Sequence, residues 1–338
     1  MLFGKNIVII LRRSLILVLS AVLLVLASSA LFLHYHNIRV PTVAFLKEPR
    51  IAMLSSPDKT FGPTEQAYLF LALLRSARYF EFTTDFFGLK YKGRSNELID
   101  QSVLSLGGFE KPTLALMKDL MQTLAPGGTF VDVGANVGQH SLFMSKYAGT
   151  VHAFDPYEPV LERFREMVAI NDIANIHIHA VGLGAQDAII PFFEPPVNNP
   201  GAGSFLEDWA DEAGKSIDLR IVEGDPYFDR IGIKGVDLIK IDIEGYEKQA
   251  IQGLSRTLSR DKPVVVMELN LGTGERFRNM ADVISSFPKG YSFFTYESYR
   301  LDDRYELSAV GASSKPRSRA LVAIPEDKLP LIGLHNAG

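Results

Sequence analysis

From Gly107 onward, short apolar runs alternate with stretches whose apolar residues recur every three or four positions, the pattern of βα units around a mostly parallel sheet. Seven runs are predicted strands: 129–133, 150–154, 176–180, 236–241, 263–269, 291–296 and 320–324. With helices between them they make a doubly wound three-layer sandwich, whose ligand crevice lies outside the carboxyl ends of the strands. Residues 186–235 break the alternation with Pro195, Pro196, Pro200, Gly201, Gly203 and Gly214, and read as an insertion over the sheet edge. Within it, Asn198, Asn199 and Ser204 offer hydrogen-bonding groups to an acceptor.

Upstream the pattern differs. Residues 14–33 run for twenty positions without a charge, the length of a helix that crosses a bilayer core of about 30 Å. A signal-peptide core is roughly 7 to 15 residues, so a single-pass anchor over 1–33 is expected in preference to a leader cleaved near Ser28-Ser29-Ala30. Residues 34–60 show no period and carry Pro41, Pro49 and Pro57, which marks a juxtamembrane linker. Residues 61–106 form an extension in which Thr64, after Pro63, caps a helix reaching residue 80, and the aromatic run 80–92, punctuated by Gly88, predicts a hairpin. The α/β domain then occupies 107–330.

The chain has 338 residues, 47% of them apolar and none cysteine, which allows a full core and excludes disulfides, thiol nucleophiles and cysteine-zinc sites. Lys5, Arg12 and Arg13 are the only charged side chains in the first 33 residues, which leaves 32 basic against 39 acidic side chains beyond. An acidic surface does not neutralise phosphates, so no nucleic-acid partner is expected. The three bases before the uncharged run are matched by Arg39, Lys47 and Arg50 after it, and the charge rule leaves the membrane orientation open.

Candidate chemistry gathers at the predicted strand ends. Residues 130–141, FVDVGANVGQHS, describe a strand, a glycine turn and a helix start, where backbone N–H groups can meet an anionic ligand group. The dinucleotide fingerprint requires glycine at the position of Asn136, which disfavours an NAD-linked oxidoreductase. Asp132 would repel a pyrophosphate and attract an ammonium, and S-adenosylmethionine carries an ammonium and a carboxylate but no phosphate. At the end of the second strand, Asp155 in VHAFDPYEP is placed to accept hydrogen bonds from ribose hydroxyls. The fourth strand ends in DLIKIDIEGYE, where Asp242, Glu244 and Glu247 can take a hydroxyl proton, hold a cation or cap the next helix. Asp242, Glu268 and Asn270 are the set a hard cation would use, although no metal site is assigned. His177 and His179 share one face of a strand and read as structural, with no histidine or cysteine cluster beside them, and His140 reads as a helix first-turn residue beside the ligand.

These motifs, with Gly108-Phe109-Glu110 upstream, make residues 80–270 resemble the FkbM family of S-adenosylmethionine-dependent methyltransferases. The resemblance implies a class I, Rossmann-like methyltransferase fold and O-methylation of a hydroxyl on a sugar or secondary metabolite, to which the expected anchor adds a glycolipid. It implies that Asp132, Gly134, Asn136 and Gly138 surround the methionine part of the cofactor, that Asp155 meets its ribose, that Glu110 adds a cofactor contact, and that Asp242 and Glu244 form the reacting face. An anchored enzyme would meet membrane-associated as well as small-molecule acceptors, and a cofactor made in the cytosol favours a cytoplasmic domain. The rival expectation is a membrane-tethered scaffold or sensor that keeps the fold and has lost the chemistry.

Overall fold

The computed structural model describes residues 81–193, 216–274, 276–298, 302–316 and 318–333. The expected membrane helix at 14–33, the linker at 34–60, the helix at 64–80 and the three polar residues of the insertion lie outside the described residues. Among the described residues no helix is long and apolar enough to cross a membrane.

The chain divides into two compact units, the second comprising residues 97–99 and 108–338. In the first, β1 (Glu81–Phe86) and β2 (Leu89–Arg94) form the predicted antiparallel hairpin. Phe87 and Gly88 turn it with φ of 53° and 84°, and positive φ at both central residues matches the right-handed twist of the strands. Asp100, on α1 (Leu98–Leu106), is fully buried there and accepts hydrogen bonds from Tyr91 Oη at 2.7 Å and Arg94 N at 2.6 Å.

In the second unit all seven predicted strands are present within one residue at either end. They are β3 (Thr129–Val133), β4 (Thr150–Phe154), β5 (Ile176–His179), β9 (Val236–Ile241), β10 (Val264–Glu268), β11 (Tyr291–Tyr296) and β13 (Ala320–Pro325). The sheet order is β5-β4-β3-β9-β10-β13-β11-β12, where β12 (Ser308–Ala309) is an eighth strand of two exposed residues that sequence patterning does not register. From β5 to β10 neighbouring strands are parallel, whereas β13 runs antiparallel to β10 and β11. The chain works outward from β3 to β5, then returns to β9 on the other side of β3. That reversal opens a crevice at the carboxyl ends of β3 and β9.

The insertion is more regular than its prolines suggest. β7 (Ala188–Phe193) and β8 (Ser216–Glu223) pair antiparallel, and β6 (Gly182–Gly184) completes a three-stranded sheet.

Helices frame the crevice. α2 (Lys111–Leu124) and α4 (Glu158–Ile170) carry apolar residues at helical spacing, with Leu114, Met117, Leu120 and Met121 buried on the first and Val160, Leu161, Phe164 and Met167 on the second. Burial contributes about 1.5–3 kcal/mol for each large apolar side chain. α3 (Gln139–Met144) starts directly after Gly138 and is buried along its length.

Candidate active site

The turn between β3 and α3 is shaped by two close approaches. Gly134 and Gly138 have φ of 82° and 81°. A Cβ on Gly134 would stand 1.9 Å from the Asp242 carbonyl oxygen, and one on Gly138 would stand 2.1 Å from Phe164 Cδ2. Only glycine fits at either place. The N–H groups of Gly134 and Ala135 both donate to the Phe154 carbonyl, at 2.9 and 3.0 Å, which ties the turn to the end of β4. Glu110, Asn136 and Glu244 are three of the six non-glycine residues with positive φ among the described residues, and such strain clusters at functional sites.

Asp155 follows β4. Its carboxylate accepts from Asn136 N and Tyr157 N, both at 2.9 Å, and burial pushes its pKa up to about 6 against the pull of these two bonds. The turn and the acid are thus directly linked. Asp132 is fully buried at the end of β3; Ser141 Oγ donates to its Oδ2 at 2.7 Å, while Oδ1 has no hydrogen-bond partner. Burial raises its pKa as well.

Asp132 lies in register with Lys240 on β9, so their side chains share a face of the sheet. Lys240 is almost wholly buried, and its Nζ bonds Asp242 Oδ2 at 3.1 Å. Burial opposes its charge, but Asp242, Asp132 and Glu110 outweigh burial and hold the ammonium above its ordinary range. Glu110, Thr113, Lys240, Asp242, Glu268, Tyr296, Ser298 and Arg319 line a cleft at this strand end.

Glu110 reaches the cleft because the Gln139 side chain clasps its neighbour. Phe109 N donates to Gln139 Oε1 at 2.6 Å and Gln139 Nε2 donates to the Phe109 carbonyl at 3.3 Å. Burial, then repulsion from Asp242, pushes the Glu110 pKa up to about 8. Its Oε2 stands 3.7 Å from His140 Nε2, a buried nitrogen with no hydrogen-bond partner. The same causes, in the same order, raise Glu244 to about 8 and Glu268 to about 7.

Carboxylate oxygens of Asp242, Glu244 and Glu268 lie within 4.8 Å of one another, a set able to hold a divalent cation. This corrects the expected cation set. Asn270 turns its amide nitrogen toward Glu268 Oε2 at 2.6 Å and so acts there as a donor, leaving Glu244 as the third acid. Glu247 is fully buried and accepts from Gly245 N at 3.0 Å and Ile243 N at 3.3 Å, so it ties down the loop that precedes its helix rather than capping the helix.

Of the eight predicted site residues, seven lie along the turn, the β4 end or the β9 rim, and Glu110, at the start of α2, lines the cleft from the facing side. Lys240 was missed. Its position inside an otherwise apolar strand was the available signal, because a lone lysine in a buried strand requires acidic neighbours. His152 was also missed: it is the Cα partner of His177 on the adjacent strand, so the histidine pair has the company that sequence spacing did not show.

A strand order that reverses at the glycine turn, with an acid ending the next strand, is the arrangement of the Rossmann-like folds that bind nucleoside cofactors, the S-adenosylmethionine-dependent methyltransferases among them. The turn suits S-adenosylmethionine in particular, since an amino-acid ammonium answers the unpaired Asp132 oxygen. Residues 132–301 match the methyltransferase FkbM domain, and the chain belongs to that family, with S-adenosylmethionine as cofactor. It is 27% identical to Methyltransferase 1 of Beauveria bassiana over 37% of its own length and 57% of that protein. It is 24% identical to hexuronic acid methyltransferase AglP of Haloferax volcanii over 42% of its length and 55% of that protein. The chain thus spans about half the length of the curated relatives it matches. Among solved structures, methyltransferase FkbM from Methylobacillus flagellatus KT is 19% identical with a TM-score of 0.38, covering 58% of this chain and 43% of that one.

Proposed function

We propose that this protein transfers a methyl group from S-adenosylmethionine to a hydroxyl oxygen of a sugar or sugar-containing acceptor. The observation that carries the reading is the Lys240–Asp242 pair, which sets a carboxylate in the cleft whose backbone touches the cofactor turn at Gly134. When bound, the cofactor supplies a methyl group already activated by its sulfonium. Asp132, Gly134, Asn136 and Gly138 hold its methionine part, Asp155 its ribose, and Glu110 adds a contact from the facing segment.

Asp242 takes the proton of the acceptor hydroxyl. Lys240 Nζ, 3.1 Å from its Oδ2, orients that carboxylate. Such proton removal contributes about 10²- to 10⁴-fold, with several kcal/mol more from positioning. Glu244 and Glu268, with pKa values raised to about 8 and 7, are able to donate as well as accept hydrogen bonds near neutral pH, which suits an acceptor rich in hydroxyls. The hexuronic acid methyltransferase among the relatives supports a sugar. The uncharged run at 14–33 supports a membrane-associated one, such as a glycolipid headgroup, and a cofactor made in the cytosol favours a cytoplasmic catalytic domain. The intact carboxylate rim speaks against a scaffold without chemistry.

A second reading adds a divalent cation at Asp242, Glu244 and Glu268 that fixes the acceptor oxygens, and the convergence of the three carboxylates favours it. The test has two stages. Calorimetric titration of S-adenosylmethionine into the full chain should show binding that Asp155→Ala weakens; a folded chain that binds no cofactor ends the proposal. Transfer of radiolabelled methyl groups to soluble sugars and to lipid extracts, with and without chelator, then identifies the acceptor class and the cation dependence.

A further inference from the structure

Away from the cleft, adjacent strands bring three imidazoles together. His152 on β4 is the Cα partner of His177 on β5, and Phe154 is the partner of His179, so all four side chains share one face of the sheet. His152 Nδ1 stands 3.1 Å from His179 Nε2, and the His152 ring stacks on His177 and His179 at centroid distances of 5.1 and 5.4 Å. We propose that His152 and His179 form a binding site for a borderline divalent transition-metal ion of the Zn²⁺ or Ni²⁺ type, held by two imidazole nitrogens and completed by water.

Three observations support the assignment. Metal–imidazole bonds of about 2.0–2.1 Å at a tetrahedral angle place the two nitrogens about 3.3–3.4 Å apart, so a small ring rotation from the observed 3.1 Å admits the ion. The nitrogen of His179 that faces away from His152 is also engaged: Nδ1 stands 3.5 Å from Tyr227 Oη on α5 (Gly224–Ile231). A ligating histidine uses its second nitrogen in this way, which fixes the tautomer and the ring plane. Finally, the rings are braced. Phe154 stacks on His179 at 4.4 Å, and Arg230 covers the Tyr227 ring at 4.7 Å.

The pair is distinct from the carboxylate trio, which is the one group of three acidic or histidine donors that converges among the described residues. His177 therefore contributes stacking rather than a third ligand. The pair still adjoins the cofactor site through the backbone, since the His179 carbonyl accepts from Asp155 N at 3.2 Å. The competing account is a simple imidazole–imidazole hydrogen bond with no affinity for metal.

Nickel distinguishes the two accounts, because imidazole suits it better than carboxylate does. The experiment is calorimetric titration of NiCl₂ into the chelator-stripped full chain at neutral pH, beside His152→Ala, His179→Ala, Tyr227→Phe and Asp242→Asn. One saturable equivalent is expected. It should weaken by at least about tenfold in either histidine variant, and measurably in Tyr227→Phe, which removes only a hydroxyl and keeps the fold testable. Asp242→Asn should leave it unchanged. The site is refuted by an absence of saturable binding, by binding that both histidine variants and Tyr227→Phe leave intact, or by binding that disappears in Asp242→Asn.

Discussion

Lys240 Nζ stands 3.1 Å from Asp242 Oδ2, so the most buried cation among the described residues and an acid of the cleft rim form one ion pair. Asp132 and Glu110 also face this ammonium. Removing one partner of a buried pair leaves the other uncompensated, at a cost of about 3–5 kcal/mol. Lys240→Met is expected to lose that much stability in denaturant unfolding and Lys240→Arg distinctly less. Equal losses in both would show that charge is not what the position requires.

Gly138→Ala would place a methyl group 2.1 Å from Phe164 and hold alanine at φ 81°. Overpacking and left-handed strain each cost about 1–3 kcal/mol. A lower melting temperature and weaker S-adenosylmethionine binding should appear together. Unchanged binding in the folded variant would detach this turn from the cofactor.

Asp155→Ala and Asp242→Asn should separate binding from chemistry. The first removes an acceptor that serves Asn136 N and Tyr157 N. Charged hydrogen bonds contribute about 1.5–3 kcal/mol each, so cofactor affinity should fall by roughly tenfold to a hundredfold or more. The second should lower turnover by about 10²- to 10⁴-fold with cofactor affinity retained. Swapped effects, read by titration and by methyl transfer at saturating cofactor, would exchange the assigned roles.

Folding raises the pKa of Glu110 from 4.5 to about 8 and that of Asp155 from 3.8 to about 6, burial being the main cause of both. The folded state therefore holds these protons more tightly than the unfolded chain. Their contribution to stability is fully present below the unfolded values and is lost as pH rises through about 6 for Asp155 and about 8 for Glu110. Urea unfolding of the cofactor-free chain should show wild type losing ground to Glu110→Gln between pH 5 and roughly pH 8. A difference that stays flat across this window would mean that Glu110 is ionised in the folded chain.

Much of the second unit is legible in the sequence because its strands are buried and bounded by turn residues, as at 129–133 between Gly128 and Gly134. β12 escapes notice because two exposed residues carry no periodicity, and the β7–β8 sheet because Pro191 and the proline cluster after it mimic a loop. The site was readable wherever one motif contains its own chemistry, as in the glycine turn and the acids after β9. Contacts across strands were not readable. Lys240 opposite Asp132 and His152 opposite His177 depend on sheet register, which neither segment specifies alone.

The Gln139 clasp on Phe109 gives the two sides of the cleft separate origins. The cofactor turn grows out of β3, but the wall that carries Glu110 comes from a segment preceding that strand, joined to the turn's helix by the Gln139 amide and to β11 by Tyr296 Oη, which donates to Thr113 Oγ1 at 3.1 Å. A change in that segment is therefore felt on both sides of the cleft, because the same amide that holds Glu110 in place sits on the first turn of the helix that follows the glycine loop.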